Sequence, residues 1–218
     1  MTNAVDLTVV RDQVLVATLA HVAFDGWSIK AIEAGAVDSG KGLGWGAEMA
    51  LRAFPEGISD LVGHMSDWTD RRMLCELAKL DLESMRIRDR ISTSVRLRLQ
   101  ILAPYREGIR RLLSYLALPQ NTLQAARLTW AVSDTIWYAA GDQSSDYNYY
   151  TKRGLLAAVY STTVLCWASD ESDGFADTWL FLDRRIADIM KIPVASTSIN
   201  KALYFLPRLF AAFRSAKS

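Results

Sequence analysis

Side chains that hold metals are scarce in this chain. Two histidines, His21 and His64, and two cysteines, Cys75 and Cys166, are spread over 218 residues. Neither pair has the spacing of a zinc site or a disulfide framework, which points to a reducing compartment. Two isolated histidines cannot build a di-iron or zinc shell, and no nucleophile–base motif is present. No catalytic residue, metal site or cofactor is therefore expected, and the chain reads as a non-enzyme. An excess of one charge is also missing: 25 Lys and Arg face 24 Asp and Glu, for a net charge of +1. Nothing in that balance asks for nucleic acid. No hydrophobic run reads as a bilayer span, which needs about 20 apolar residues. The start, Met-Thr-Asn-Ala-Val-Asp, matches neither a signal peptide nor an arginine-rich transit peptide. The chain reads as a cytoplasmic protein, or as a mature form already trimmed.

Proline and β-branched alternation are rare too, with only five prolines in the chain. Apolar residues recur instead at spacings of three and four, which predicts an all-α protein. A first helix is expected from about Leu7 to Phe24. A short helix closing at Gly35 follows, then a second from about Ala47 to Phe54, broken by Pro55. Helix, turn, helix is the outline of a helix-turn-helix unit, and it resembles the N-terminal part of TetR-type regulators. Charge argues against DNA: from Asp25 to Asp60 six acids face Lys30, Lys41 and Arg52, whereas phosphate binding needs a positive face. A ligand-responsive TetR-type regulator is kept as the alternative function.

Longer helices make up the rest. His64 falls on or beside the apolar stripe of one that starts near Ile58 and reads as a packed, hydrogen-bonded core residue. The arginines at 86, 88, 90, 96 and 98 interleave with Asp81, Glu83 and Asp89. That pattern predicts a solvated, salt-bridged face. A helix from about Thr122 to Ala140 is expected to turn Leu123, Ala126, Trp130, Ser133, Trp137 and Ala140 inward. One from about Tyr147 to Ala168 is apolar nearly all round and is expected in the interior. The acidic turn Ser169–Gly174 reads as a surface loop, with Ser172 or Asp173 capping a helix over Phe175–Met190. The expected division is 1–56 as a helix-turn-helix-like domain, 57–192 as the helical body, and 193–218 as a separable tail.

Two stretches carry functional signals. Between Tyr138 and Tyr150 fall four of the eight tyrosines, around an acidic turn. Asp146, Tyr149, Tyr150 and Arg153 stand at i, i+3, i+4 and i+7, so helical spacing places them on one exposed face, while Trp137 is expected in the core. Aromatic rings beside charges suit an interface, and core packing of a helix hairpin is the other reading. In the tail, Leu203, Leu206, Leu209, Phe210 and Phe213 line one side of a helical pattern, with Lys201 and Arg208 on the other side or its border. This is the form of a helix lying in a membrane surface. A last helix packed on the body, or a dimer seam, fits the same spacing.

The motif Gly141-Asp-Gln-Ser-Ser-Asp-Tyr-Asn-Tyr-Tyr-Thr-Lys-Arg153, then Leu-Leu-Ala-Ala-Val-Tyr-Ser-Thr-Thr from Leu155, then Asp177 to Met190, resembles the Coq-nine family of ubiquinone (coenzyme Q) biosynthesis accessory proteins. The resemblance is strongest from about Leu99 to Met190. It implies a TetR-like fold that has abandoned DNA. It implies an isoprenoid or phospholipid ligand in the helical body and a di-iron partner, demethoxyubiquinone hydroxylase. By position, Asp146, Tyr149, Tyr150 and Arg153 inherit the partner-binding role, and the tail inherits membrane attachment. Nucleic acid is not an expected partner, and a second copy of the chain is a further candidate.

Overall fold

A computed structural model describes residues 6–142 and 147–191. Nine α-helices form among them: α1 (Leu7–Asp25), α2 (Ile29–Gly40), α3 (Glu48–Ala53), α4 (Ile58–Leu77), α5 (Ile87–Leu102), α6 (Arg106–Leu116), α7 (Thr122–Ala139), α8 (Tyr147–Ser169) and α9 (Ala176–Met190). No strand is present among the described residues, as the apolar spacing predicts.

Local chemistry sets several ends. The Asp6 carboxylate accepts the Thr8 amide at 2.9 Å, and Ser28 Oγ accepts the Ala31 amide at 3.2 Å. Both are N-caps that satisfy donors left open in a first turn. Pro55 restricts Phe54 to an extended conformation (φ −133°), which stops α3. At the other end of the bundle, Arg106 and Arg110 donate to the last carbonyls of α8, with Arg110 Nε 2.6 Å from Ala168 O. Cations there also suit the negative end of the helix dipole.

α1 lies along α2 and also meets α4 and α6. It is the one helix among the described residues long and apolar enough to cross a membrane, with mean hydropathy 1.4 over an 18-residue window. The expectation that no run qualifies is corrected on this point. Val14, Leu15 and Val22 of α1 are fully buried in the core, while Leu7, Val9 and Phe24 are exposed, so α1 packs along one face only. Polar contacts fasten α1 to α4: Arg11 pairs with Asp60 at 2.5 Å, and the Asp12 carboxylate is hydrogen-bonded to His64 and paired with Arg71, at 2.7 Å each. His64 is thus the buried, hydrogen-bonded residue its place in the sequence suggested. Burial lowers its pKa, with the Asp12 bond opposing.

Other boundaries differ from expectation. α2 runs through Gly35 to Gly40. Gly35 is a crossing point, because a Cβ there would lie 2.2 Å from Thr18 Oγ1 of α1. On α7 the inward face is Val132, Ser133, Ile136 and Trp137, while Leu123 and Ala126 are exposed. α8 is not interior all round: Gly154, Ala158, Thr162 and Leu165 face solvent. Ser172 caps the turn into α9 as expected, its Oγ accepting the Asp177 amide at 3.1 Å, and Asp170 adds a second cap that the sequence did not suggest. Its carboxylate accepts the Ser172 amide at 2.8 Å and the Thr178 amide at 2.9 Å. Burial favours the protonated form of Asp170, but bonds from Ser172 and Thr178 outweigh it and hold the pKa below the usual range.

Candidate functional sites

Helices α4 to α8 enclose an apolar cavity of about 280 Å³. Val62, Met65, Leu102, Ile109, Leu112 and Val132 form much of its wall, and all six are buried. Ser66, Arg98 and Tyr160 also line it. Arg98 is 3% exposed and pairs with Asp70. Its Nε donates to Tyr160 Oη at 3.0 Å and its Nη2 to Ser66 Oγ at 2.9 Å. Burial pushes the Asp70 carboxyl up to about 6, because the Arg98 charge only partly offsets the lost hydration.

The expectation of a solvated arginine face is therefore corrected at Arg98. It sits in the stripe Ile91, Val95, Arg98, Leu99, Leu102 of α5, which is buried throughout. The signal was present: a charge at core spacing demands a buried partner, and Ser66 and Asp70 stand at i and i+4 on the buried face of α4. Arg88 and Arg96 behave as expected, whereas Arg90 donates to the Met85, Ala140 and Glu83 carbonyls. Arg88 pairs with Asp89, and Arg96 pairs with Asp183 at 2.6 Å.

A second cluster lies where α7 meets α8. Trp130, Tyr149 and Tyr150 form an aromatic group, with the two tyrosine rings edge to face at 5.1 Å and Trp130 6.2 Å from Tyr150. Tyr149 Oη donates to Asp134 at 3.0 Å. Arg153 lies under the Tyr149 ring, its guanidinium carbon 3.5 Å from the centroid. It donates to Asp134 at 2.5 Å and to Asp142 at 2.9 Å. Lys152 completes the group, bonding Asp142 at 2.7 Å. Trp137 is buried and donates to the Lys152 carbonyl at 3.0 Å.

The expected face is thus divided. Tyr149 and Tyr150 are brought together, and Tyr150 is exposed at 46%. Arg153 is not on the exposed face: it is buried at 3%. Burial opposes its charge, but its bonds to Asp134 and Asp142 outweigh this and raise its pKa. The spacing rule fails here because a long side chain folds back over its own helix to reach Asp134 and Asp142. Asp146 lies outside the described residues, as do Lys201, Leu203, Leu206, Arg208, Leu209, Phe210 and Phe213. Trp130, Asp134 and Asp142 were not singled out for this site from sequence. Trp130 and Asp134 stand four apart on α7, the spacing that makes neighbours on a helix face.

Among the described residues no group of three or more His, Cys, Asp or Glu could hold a metal ion. In the helix-turn-helix region, Lys30 pairs with Asp25 at 2.9 Å and Lys41 with Asp38 at 2.7 Å. Two of its three bases are thereby neutralised, and α3 carries Glu48 beside Arg52.

A family model described as COQ9 matches residues 122–193, the stretch from α7 through α9. The chain is 37% identical over 190 residues to "Ubiquinone biosynthesis protein COQ9, mitochondrial" of Rattus norvegicus, covering 84% of this chain and 59% of that protein. It is 35% identical over 189 residues to the protein of the same name in Homo sapiens, covering 84% of this chain and 58% of the other. The chain thus spans under two thirds of the length of these relatives. Its fold is similar to the crystal structure of a TetR transcriptional regulator from Nitrosomonas europaea. The TM-score is 0.64 at 19% identity, over 84% of this chain and 98% of that one. That likeness concerns the fold alone, and the fold is TetR-like and all-α.

Proposed function

The chain belongs to the COQ9 family, and on that premise we propose that it is a non-enzymatic lipid-binding accessory protein of ubiquinone biosynthesis. It takes up an isoprenoid quinone intermediate at a membrane surface and presents it to the di-iron demethoxyubiquinone hydroxylase. The observation that carries this reading is the cavity of about 280 Å³ between α4 and α8, whose wall is almost wholly apolar. A polyprenyl tail partitions into bilayer, so a protein that lowers the desolvation barrier speeds its passage to a water-soluble active site. The cavity provides such an apolar path.

Docking falls to the aromatic cluster. Tyr150 is exposed and braced by Tyr149 and Trp130. Rigid aromatic anchors with a charged rim are what interfaces use. Residues Leu203, Leu206, Leu209, Phe210 and Phe213, with Lys201 and Arg208, supply the membrane contact through an amphipathic helix. The apolar side carries most of that affinity, since a basic residue near an anionic surface adds about 1 kcal/mol.

Lipid extraction from the purified full chain, read by mass spectrometry, tests the central step. An isoprenoid lipid is expected with the native chain. It should be lost from Ala125→Trp, which places a large side chain at the cavity wall. Equal lipid in both proteins, or none in either, refutes the reading.

A further inference from the structure

The turn that delivers Asp142 to the aromatic cluster is held from two sides. From within, it closes α7 as a Schellman motif: the Gly141 amide donates to Tyr138 O and the Asp142 amide to Trp137 O, at 3.0 Å each. Gly141 takes φ 94°, a left-handed conformation that favours glycine. From outside, Arg90 reaches across from the start of α5. Its Nη1 donates to Ala140 O at 3.1 Å, its Nε to Met85 O at 3.0 Å and its Nη2 to Glu83 O at 3.3 Å. The approach is close, since a Cβ on Gly141 would lie 3.2 Å from Arg90 Nη1.

Arg90 is thus unlike its neighbours in the basic run. Arg88 and Arg96 pair with acids, whereas Arg90 spends its donors on backbone carbonyls. A planar guanidinium suits that work, because its donors point in fixed directions and can join two chain segments at once. Ala140 caps the C-terminal end of α7. Carbonyls there lack a helical partner, and the helix dipole favours a cation. The contact therefore fixes the end of α7 to the connection between α4 and α5.

What the turn carries is a buried acid. The Asp142 side chain is 6% exposed and holds both Lys152 and Arg153. A buried charge must keep its partners, so the place of Asp142 dictates the place of those two cations. Arg153 supports the Tyr149 ring, and Tyr149 meets Tyr150 edge to face.

We infer that Arg90 is a positioning residue for the partner surface. It sets the end of α7, the turn sets Asp142, and Asp142 sets Arg153 beneath Tyr149. This assignment rests on the docking reading above and extends it to a side chain 50 positions before the carbonyl it holds.

Association of the full chain with demethoxyubiquinone hydroxylase, measured by calorimetry, tests it. Arg90→Met should weaken association about tenfold, the effect of one lost charged hydrogen bond. With no partner present, it should also speed amide hydrogen exchange at Gly141 and Asp142. Arg90→Gln, which can keep only one of the three bonds, should act likewise and decides the matter if Arg90→Met does not fold. A double-mutant cycle separates positioning from general loss of stability. In an Asp142→Ala background, Arg90→Met should weaken association no further, because the link it acts through is gone. Val95→Ala, a truncation in the buried stripe of the same helix, should cost stability and leave association unchanged. Native exchange or native association in the Arg90 variants overturns the inference. So does an Arg90 effect that persists in full without Asp142, or equal weakening by Val95→Ala. Tyr150→Lys tells the two readings apart. If it abolishes association and Arg90→Met does not weaken it, only the inference falls. If Tyr150→Lys also associates as the native chain does, the docking reading falls and takes the inference with it.

Discussion

Two arginines in this molecule are built into nearly the same company, with opposite outcomes. Arg98 and Arg153 are both buried at 3%. Each pairs with aspartate and each lies near a tyrosine ring, at 5.8 Å for Arg98 over Tyr160 and 3.5 Å for Arg153 over Tyr149. The Arg98 cluster faces inward, onto an apolar cavity. The Arg153 cluster faces outward: one of its partners, Asp134, has a side chain 45% exposed, and its tyrosine meets exposed Tyr150 edge to face. One arrangement thus gives a cavity a polar end, and the other stiffens a surface aromatic pair. The number and solvation of the acids differ: Asp70 stands alone against Arg98, whereas Arg153 has a wet acid, Asp134, and a buried one, Asp142, that Lys152 shares. Asp70, with its side chain 12% exposed, is desolvated enough to raise its pKa, whereas half-wet Asp134 is not buried with its arginine.

Removing each arginine is the strongest way to break that contrast. Arg98→Met should destabilise the fold by about 3–5 kcal/mol in chemical denaturation, because it strands Asp70 in a dry site. Dependence on pH should come next. A carboxyl that binds its proton more tightly when folded stabilises the fold fully below the unfolded pKa of about 3.9. It loses that contribution as pH rises through the folded value of about 6. Between pH 4 and pH 6, unfolding free energy should therefore fall by on the order of 2 kcal/mol from this group. Asp70→Asn should lack that slope. Its reappearance undiminished would assign the slope elsewhere. Arg153→Met should cost less, about 1–2 kcal/mol, since Asp142 keeps Lys152 and Asp134 has access to water. If the two arginine variants lose equal stability, the difference in solvation drawn between the clusters is wrong. The smallest effect belongs to Tyr150→Ala, which should change stability by less than about 0.5 kcal/mol.

Much of the fold was legible because helix periodicity needs only local pattern. The long helices, the buried His64 and the core Trp137 all follow from apolar spacing and the absence of partner histidines. What was hidden depends on contacts between distant residues. Gly35 reads as a helix end until Thr18 is found beside it. Arg98 reads as one member of a basic run until Ser66 and Asp70, some thirty residues earlier, are placed across from it. Arg153 reads as exposed by spacing alone, yet Asp134 and Asp142 from the preceding helix and turn draw it inward. The motif that resembles the family places Tyr149 and Tyr150 next to each other, as the fold does, but does not tell which of its members turn outward. Leu165, taken for interior by composition, is instead at the open end of the cavity.

The division between an inner site for lipid and an outer site for a partner is tested most directly at Tyr150. Tyr149→Lys would disturb Asp134 and Arg153 together, whereas Tyr150 is the exposed ring. Association of the full-length Tyr150→Lys protein with demethoxyubiquinone hydroxylase should be measured alongside the lipid it carries. Loss of association with the lipid load unchanged is the expected result. Association equal to that of the native chain, or loss of lipid together with loss of association, contradicts the division.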